Sequence, residues 1–101
     1  MRRVIALLSI SIILASIQPV VAEEFLICVH GPGGEMVSGA DVDIYESGSR
    51  IDSGSTDSRG VYPAWLSSWS NYEICASYWG KSGCWRGTPG SSGNRIEIYL
   101  N

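Results

Sequence analysis

Residues 55–66, Ser-Thr-Asp-Ser-Arg-Gly-Val-Tyr-Pro-Ala-Trp-Leu, decide how the chain is read. A polar run from Thr56 to Gly60 breaks into Tyr62, Pro63 and Trp65. Three readings compete: a metal loop, a catalytic corner, or a turn between strands. The turn explains every residue of the run. Asp57 can accept neighbouring backbone N–H groups, and Gly60 takes positive φ without a Cβ penalty. The residues after it alternate. Tyr62, Ala64 and Leu66 fall on one side and Val61, Pro63 and Trp65 on the other, the period of a strand. Pro63 cannot donate to a ladder, so the strand should be short or lie at a sheet edge. Tyr62 is expected to enter the core.

The same period recurs on both sides of this stretch. Phe25, Ile27 and Val29 alternate with Leu26, Cys28 and His30, and a Gly-Pro-Gly-Gly-Glu turn follows. Ala40, Val42 and Ile44 alternate with Asp41, Asp43 and Tyr45, then Glu-Ser-Gly-Ser-Arg turns into a weak strand around Ile51. After a Ser-Ser-Trp-Ser-Asn loop, Tyr72, Ile74, Ala76 and Tyr78 form an inward face, with Glu73, Cys75, Ser77 and Trp79 outward. A glycine-rich loop (88–94) precedes Ile96, Ile98 and Leu100. Short alternating runs separated by turn formers predict a small all-β, antiparallel two-sheet sandwich of about seven strands.

The first residues stand apart. Arg2 and Arg3 precede an apolar run from Val4 to about Ile17, broken by Pro19 and followed by small residues to Ala22. That is the pattern of a secretory signal peptide, and the run is short for a bilayer span of about 20 residues. Residues 1–22 are therefore read as a cleaved leader and 23–101 as one domain, secreted or periplasmic, with no membrane span left after cleavage. Phe-Leu-Ile before Cys28 lacks the small residue that lipid attachment prefers. Losing two arginines and no acid moves the formal charge from −3 to −5. An acidic chain is a poor partner for nucleic acid or an anionic membrane surface.

A domain this small gains from a covalent staple, and an oxidising compartment permits one. Cys75 and Cys84 are equally far from a turn at Trp79-Gly80, so a hairpin would set them opposite each other. They are expected to pair. Cys28 is then either a free thiol or a link to a second molecule. Three separated cysteines and one histidine make a poor zinc site.

Three stretches, in order, resemble a known group. Ile27–Tyr45 (ICVHGPGGEMVSGADVDIY), Thr56–Tyr62 (TDSRGVY) and Asn71–Gly83 (NYEICASYWGKSG) are similar to the motifs of carboxypeptidase regulatory-like domains, the transthyretin-like (prealbumin-like) sandwiches. The resemblance spans nearly all of residues 23–101 and implies two antiparallel sheets. It implies accessory, adhesive or spacer roles as readily as a place near an enzyme. Asn71 stands where the family usually has glycine, a change asparagine tolerates if φ is positive. The segment around Cys84 is not a family feature.

Enzymes of this architecture need residues that are missing. The hydrolases use several histidines and a Tyr-Arg-Gly-Ser tail, and the iron dioxygenases two histidines; this chain has His30 alone and ends Glu-Ile-Tyr-Leu-Asn. His30 reads as a strand-end surface residue, with no Gly-x-Ser-x-Gly elbow. Gly31–Glu35 lacks the lysine and helix of a phosphate loop. Asp52 and Asp57 do not have calcium-loop spacing. Lys81, the sole lysine, is misplaced for an isopeptide bond. No catalytic residue, metal or cofactor is assigned.

The remaining signal is aromatic. Of four tryptophans, Trp65 and Trp79 fall on outward positions, Trp69 in a polar loop, and Trp85 is placed inward beside the disulfide. Exposed rings suit sugar faces or protein anchors. The expectation is a non-enzymatic interaction or structural module whose partner is a protein or carbohydrate at the cell exterior. Alternatives are a carbohydrate module using Trp65, Trp69 and Trp79, and a small enzyme with an unrecognised site.

Overall fold

The computed structural model describes residues 21–101, apart from the side chain of Ser92. Of the leader read at 1–22, all but Val21 and Ala22 lies outside the described residues, and Ala22 already pairs with Ser67. Seven strands follow in order: β1 (Ala22–His30), β2 (Asp41–Glu46), β3 (Ser49–Ser55), β4 (Val61–Ser67), β5 (Tyr72–Tyr78), β6 (Lys81–Gly87) and β7 (Arg95–Tyr99). One 3-10 turn, Pro89–Ser92, lies between β6 and β7. The strands form two sheets, β4-β1-β7 and β3-β2-β5-β6. This is the expected two-sheet sandwich with one departure: β1 and β7 run parallel. The chain reaches β7 from the other sheet through the 88–94 connection, so no hairpin dictates its direction.

Alternation places the core. Phe25, Ile27, Val29, Ala64, Leu66, Ile96 and Ile98 face Val42, Ile44, Ile74 and Ala76 across the sandwich, and all are buried. Each fully buried isoleucine contributes about 1.5–3 kcal/mol over an exposed one. Trp85 does turn inward and packs on this cluster. On one side the sheets are pinned together. Gly83 of β6 passes so close to the Tyr99 carbonyl of β7 that a Cβ would meet it at 2.2 Å, and the Asn101 N–H donates to the Ser82 carbonyl at 3.2 Å.

The decisive stretch is a turn. The Gly60 N–H donates to the Asp57 carbonyl, and the Asp57 N–H to the Val61 carbonyl, both at 2.9 Å. Asp57 Oδ1 accepts the N–H groups of Arg59 (2.8 Å) and Val61 (3.1 Å), and Gly60 has φ +80°. Its neighbour Thr56 does more than the sequence suggests. The buried hydroxyl donates to the Val37 carbonyl at 2.6 Å and accepts the Ala40 N–H at 2.9 Å. One residue thereby clips the β3–β4 turn to the long β1–β2 connection.

Four positions differ from expectation. Tyr62 is only partly buried; its ring lies over Gly54 and its hydroxyl donates to Asp52 at 2.9 Å. Val61, read as outward, is buried because it sits beside Cys28 on the central strand's far face. Tyr78, read as inward, is exposed: the strand outruns the core, and the ring meets Trp79 edge-on instead. Asn71 does not adopt positive φ, so no glycine is needed there. Pro63 lies on β4, an edge strand, as its missing donor requires.

Candidate functional site

Cys75 and Cys84 are directly opposed on β5 and β6 and form the expected disulfide. The hairpin turns through Trp79 (φ +49°) and Gly80 (φ +79°), the two left-handed residues of a type I′ turn. Asparagine, aspartate or glycine normally occupies the first of these positions. A tryptophan there is a sterically poor choice, costing on the order of 1 kcal/mol. Packing does not compensate, since Trp79 is 85% exposed. Tyr78 stands edge-on to it, ring centroids 6.2 Å apart, and Lys81 follows at the start of β6.

Trp65 and Trp69 are also exposed, at 68% and 74%, but the three rings do not share a surface. Trp79 caps the far end of β5, whereas Trp69 lies in the loop before its first residue. Seven strand residues separate them, about 23 Å at 3.3 Å per residue. Trp65 projects from the outer face of the other sheet, opposite Glu24. One saccharide face cannot span these positions.

The outer face of the three-stranded sheet carries a polar cluster. His30, read from sequence as a surface residue, is largely covered. Its Nε2 meets a carboxylate oxygen of Glu97, its Nδ1 lies 3.2 Å from the Gly34 carbonyl, and Tyr99 stacks on the ring at 4.5 Å. Arg95 holds the other Glu97 oxygen at 3.0 Å. The hydrogen bond from His30 is the main cause that keeps the Glu97 carboxyl below its ordinary range, with Arg95 adding to it. Beneath lies Cys28, free and fully buried. Burial, then the negative charge of Glu97, pushes its thiol up, which favours the protonated form over a reactive thiolate. A thiol at 0% exposure does not present itself for a link to a second molecule.

The two carboxylates weighed for calcium have separate partners. Asp52 accepts the Ser53 N–H and the Tyr62 hydroxyl. Asp57 binds Arg59 at 2.9 Å, and that hydrogen bond holds its carboxyl below the ordinary range. Glu73, Cys75 and Cys84 bring three ligand-type atoms together, but both sulfurs are committed to the disulfide.

A groove of about 420 Å³ opens at the end of the four-stranded sheet opposite Trp79. Tyr45, Glu73 and Arg86 occupy one row across β2, β5 and β6, with Glu73 and Arg86 ion-paired. Ser47 and Asn71 stand at the rim and Tyr72 forms a wall. The sequence marks Tyr45 and Glu73 only as outward positions. Their meeting with Arg86 depends on the pairing of three strands, two of them distant in the chain, which no local pattern encodes.

No helix among the described residues is long and apolar enough to cross a membrane. The chain matches no family model and no curated protein.

Proposed function

We propose that this chain is a secreted or periplasmic, non-enzymatic interaction module of transthyretin-like type, which engages its partner through the β5–β6 hairpin tip. Trp79 carries the reading. It is held in a backbone conformation that disfavours it, it packs on little, and an Asn-Gly turn would serve the fold better. Its presence is therefore explained by contact with another molecule rather than by folding. The disulfide four positions before it braces the hairpin, so the backbone that carries the ring has little entropy left to lose on binding. That staple also fits an oxidising location. The ordered motifs at Ile27–Tyr45, Thr56–Tyr62 and Asn71–Gly83 and the seven strands in two sheets support the transthyretin-like assignment. The carbohydrate alternative loses its three-ring platform, because Trp79 stands at the opposite end of β5 from Trp69.

The test is a photo-crosslinking phenylalanine analogue placed at position 79 in expressing cells, with position 51 on exposed β3 as control. A discrete adduct from 79 and none from 51 supports the reading. Equal labelling from both, or none from 79, counts against it. Trp79→Asn should keep the fold at unchanged or slightly higher stability, by up to about 1 kcal/mol, while abolishing that partner's retention.

A further inference from the structure

The groove at the other end of the sheet has its own chemistry, independent of Trp79. We infer that it is a binding subsite for a neutral saccharide. Its volume of about 420 Å³ falls at the low end of the roughly 300–1,000 Å³ typical of small-molecule sites, enough for one or two sugar rings. Its lining is mixed rather than greasy. Glu73 and Arg86 face each other, so the charges cancel and neither an anion nor a cation is favoured. Glu73 meets Arg86 through Oε2, a carboxylate has further lone pairs to accept with, and the Arg86 side chain remains 76% exposed with donors to spare.

Three further polar groups converge there. Tyr45, Ser47 and Asn71 also line the groove, and among the described residues their side chains make no protein hydrogen bond. A guanidinium, a carboxylate, an amide and two hydroxyls around one space supply both donors and acceptors. That is the complement of a polyol, whose hydroxyls both donate and accept. Tyr45 supplies the ring face that pyranose C–H groups pack against. Tyr72 contributes a wall, and its oxygen is engaged as the acceptor of the Ser67 N–H at 2.9 Å.

Two backbone features shape the same place. The β2–β3 register shifts between Ile44 and Tyr45, with Ile51 of β3 as the extra residue, and such a bulge bends its strand and raises the local twist next to Tyr45. The adjoining β2–β3 turn holds Ser47 at φ +52°, which sets its side chain at the rim. The site goes beyond the hairpin-tip reading and does not depend on it.

The experiment is an amide-shift titration of the purified protein with maltohexaose, cellohexaose, xylohexaose and chitohexaose, each to millimolar concentration. At least one should shift the amides of Gly48, Asn71, Glu73 and Gly87, with Trp85 fluorescence following, since that ring lies against Gly87. Tyr45→Ala and the surface change Arg86→Ala should each weaken binding about tenfold, or 1.4 kcal/mol. Trp79→Asn should leave it unchanged. No shift with any of the four, shifts gathered at Trp79 or Trp65 instead, or full affinity in both groove variants would overturn the proposal. Loss of the photo-adduct at position 79 with intact groove shifts would strike the hairpin-tip reading alone.

Discussion

Replacing Thr56 by valine is the sharpest probe of how this fold is held together. The substitution keeps the side chain's shape and removes only its oxygen. That oxygen makes two bonds, to the Val37 carbonyl at 2.6 Å and from the Ala40 N–H at 2.9 Å. Ala40 is fully buried and Val37 nearly so, so water cannot replace either bond. Each orphaned group costs about 1–3 kcal/mol, giving roughly 2–6 kcal/mol before a small gain from the added methyl. A domain of this size has about 4–12 kcal/mol in total. Thr56→Ser keeps the oxygen and loses a methyl, about 0.8 kcal/mol. Urea unfolding followed by tryptophan fluorescence compares the two. With a slope near 1 kcal/mol per molar, the valine variant should unfold at a midpoint about 2 M or more below wild type, and the serine variant within about 1 M of it. If valine is tolerated as well as serine, packing and the backbone bonds between Thr56 and Gly39 and Ala40 hold the two connections, and the hydroxyl clip is not what joins them.

Removing the disulfide as Cys75→Ala/Cys84→Ala should cost about 2.6 kcal/mol from the entropy of a nine-residue loop, read as a fall in melting temperature of about 10–20 °C; a fall of a degree or two would mean the hairpin needs no staple. Because His30 and Arg95 depress the Glu97 carboxyl in the folded state, its contribution to stability is present above the unfolded value near 4.5 and lost as pH falls through the lower folded value. Glu97→Gln should therefore flatten the acid limb of a melting-temperature profile below about pH 4.5, and an unchanged limb would show that the contact is energetically silent. Cys28 should resist a thiol reagent in the native protein and react at once in urea; rapid native labelling, or a reducible dimer, would contradict its complete burial.

Chemistry between near neighbours was legible. The Thr56–Gly60 turn could be read because Asp57 and Gly60 act within a few residues of each other. The Cys75–Cys84 pair could be read because both are equidistant from a turn that a glycine announces. Alternation likewise gave the strands and their inner faces. What could not be read depends on which strand lies beside which. His30 and Glu97 are 67 residues apart in sequence, and only the parallel pairing of β1 with β7 brings them together. Thr56 reaches back to Val37 and Ala40 across a sheet edge. Val61 is buried by a neighbour on β1, and Tyr78 is exposed because alternation marks a side and not where the core ends. The three tryptophans looked like a set until the strand order separated them.

The places where the chain breaks its own local rules are therefore the informative ones. Between the two sheets alternation and burial agree at most positions, and among the described residues no buried side-chain polar atom lacks a partner. Agreement of that kind describes how a sequence folds and leaves its purpose open. The exceptions are the only two positive-φ residues other than glycine among the described residues, Ser47 and Trp79. Each opens a two-residue hairpin turn where asparagine would cost less, and each sits at a candidate contact surface: Ser47 at the rim of the groove, Trp79 at the tip of the braced hairpin. The two turns close opposite ends of the four-stranded sheet, so the surfaces can be occupied at once without interfering. A module whose sheet separates two contact points in this way can join two partners, and Trp79→Asn and Tyr45→Ala should remove them one at a time.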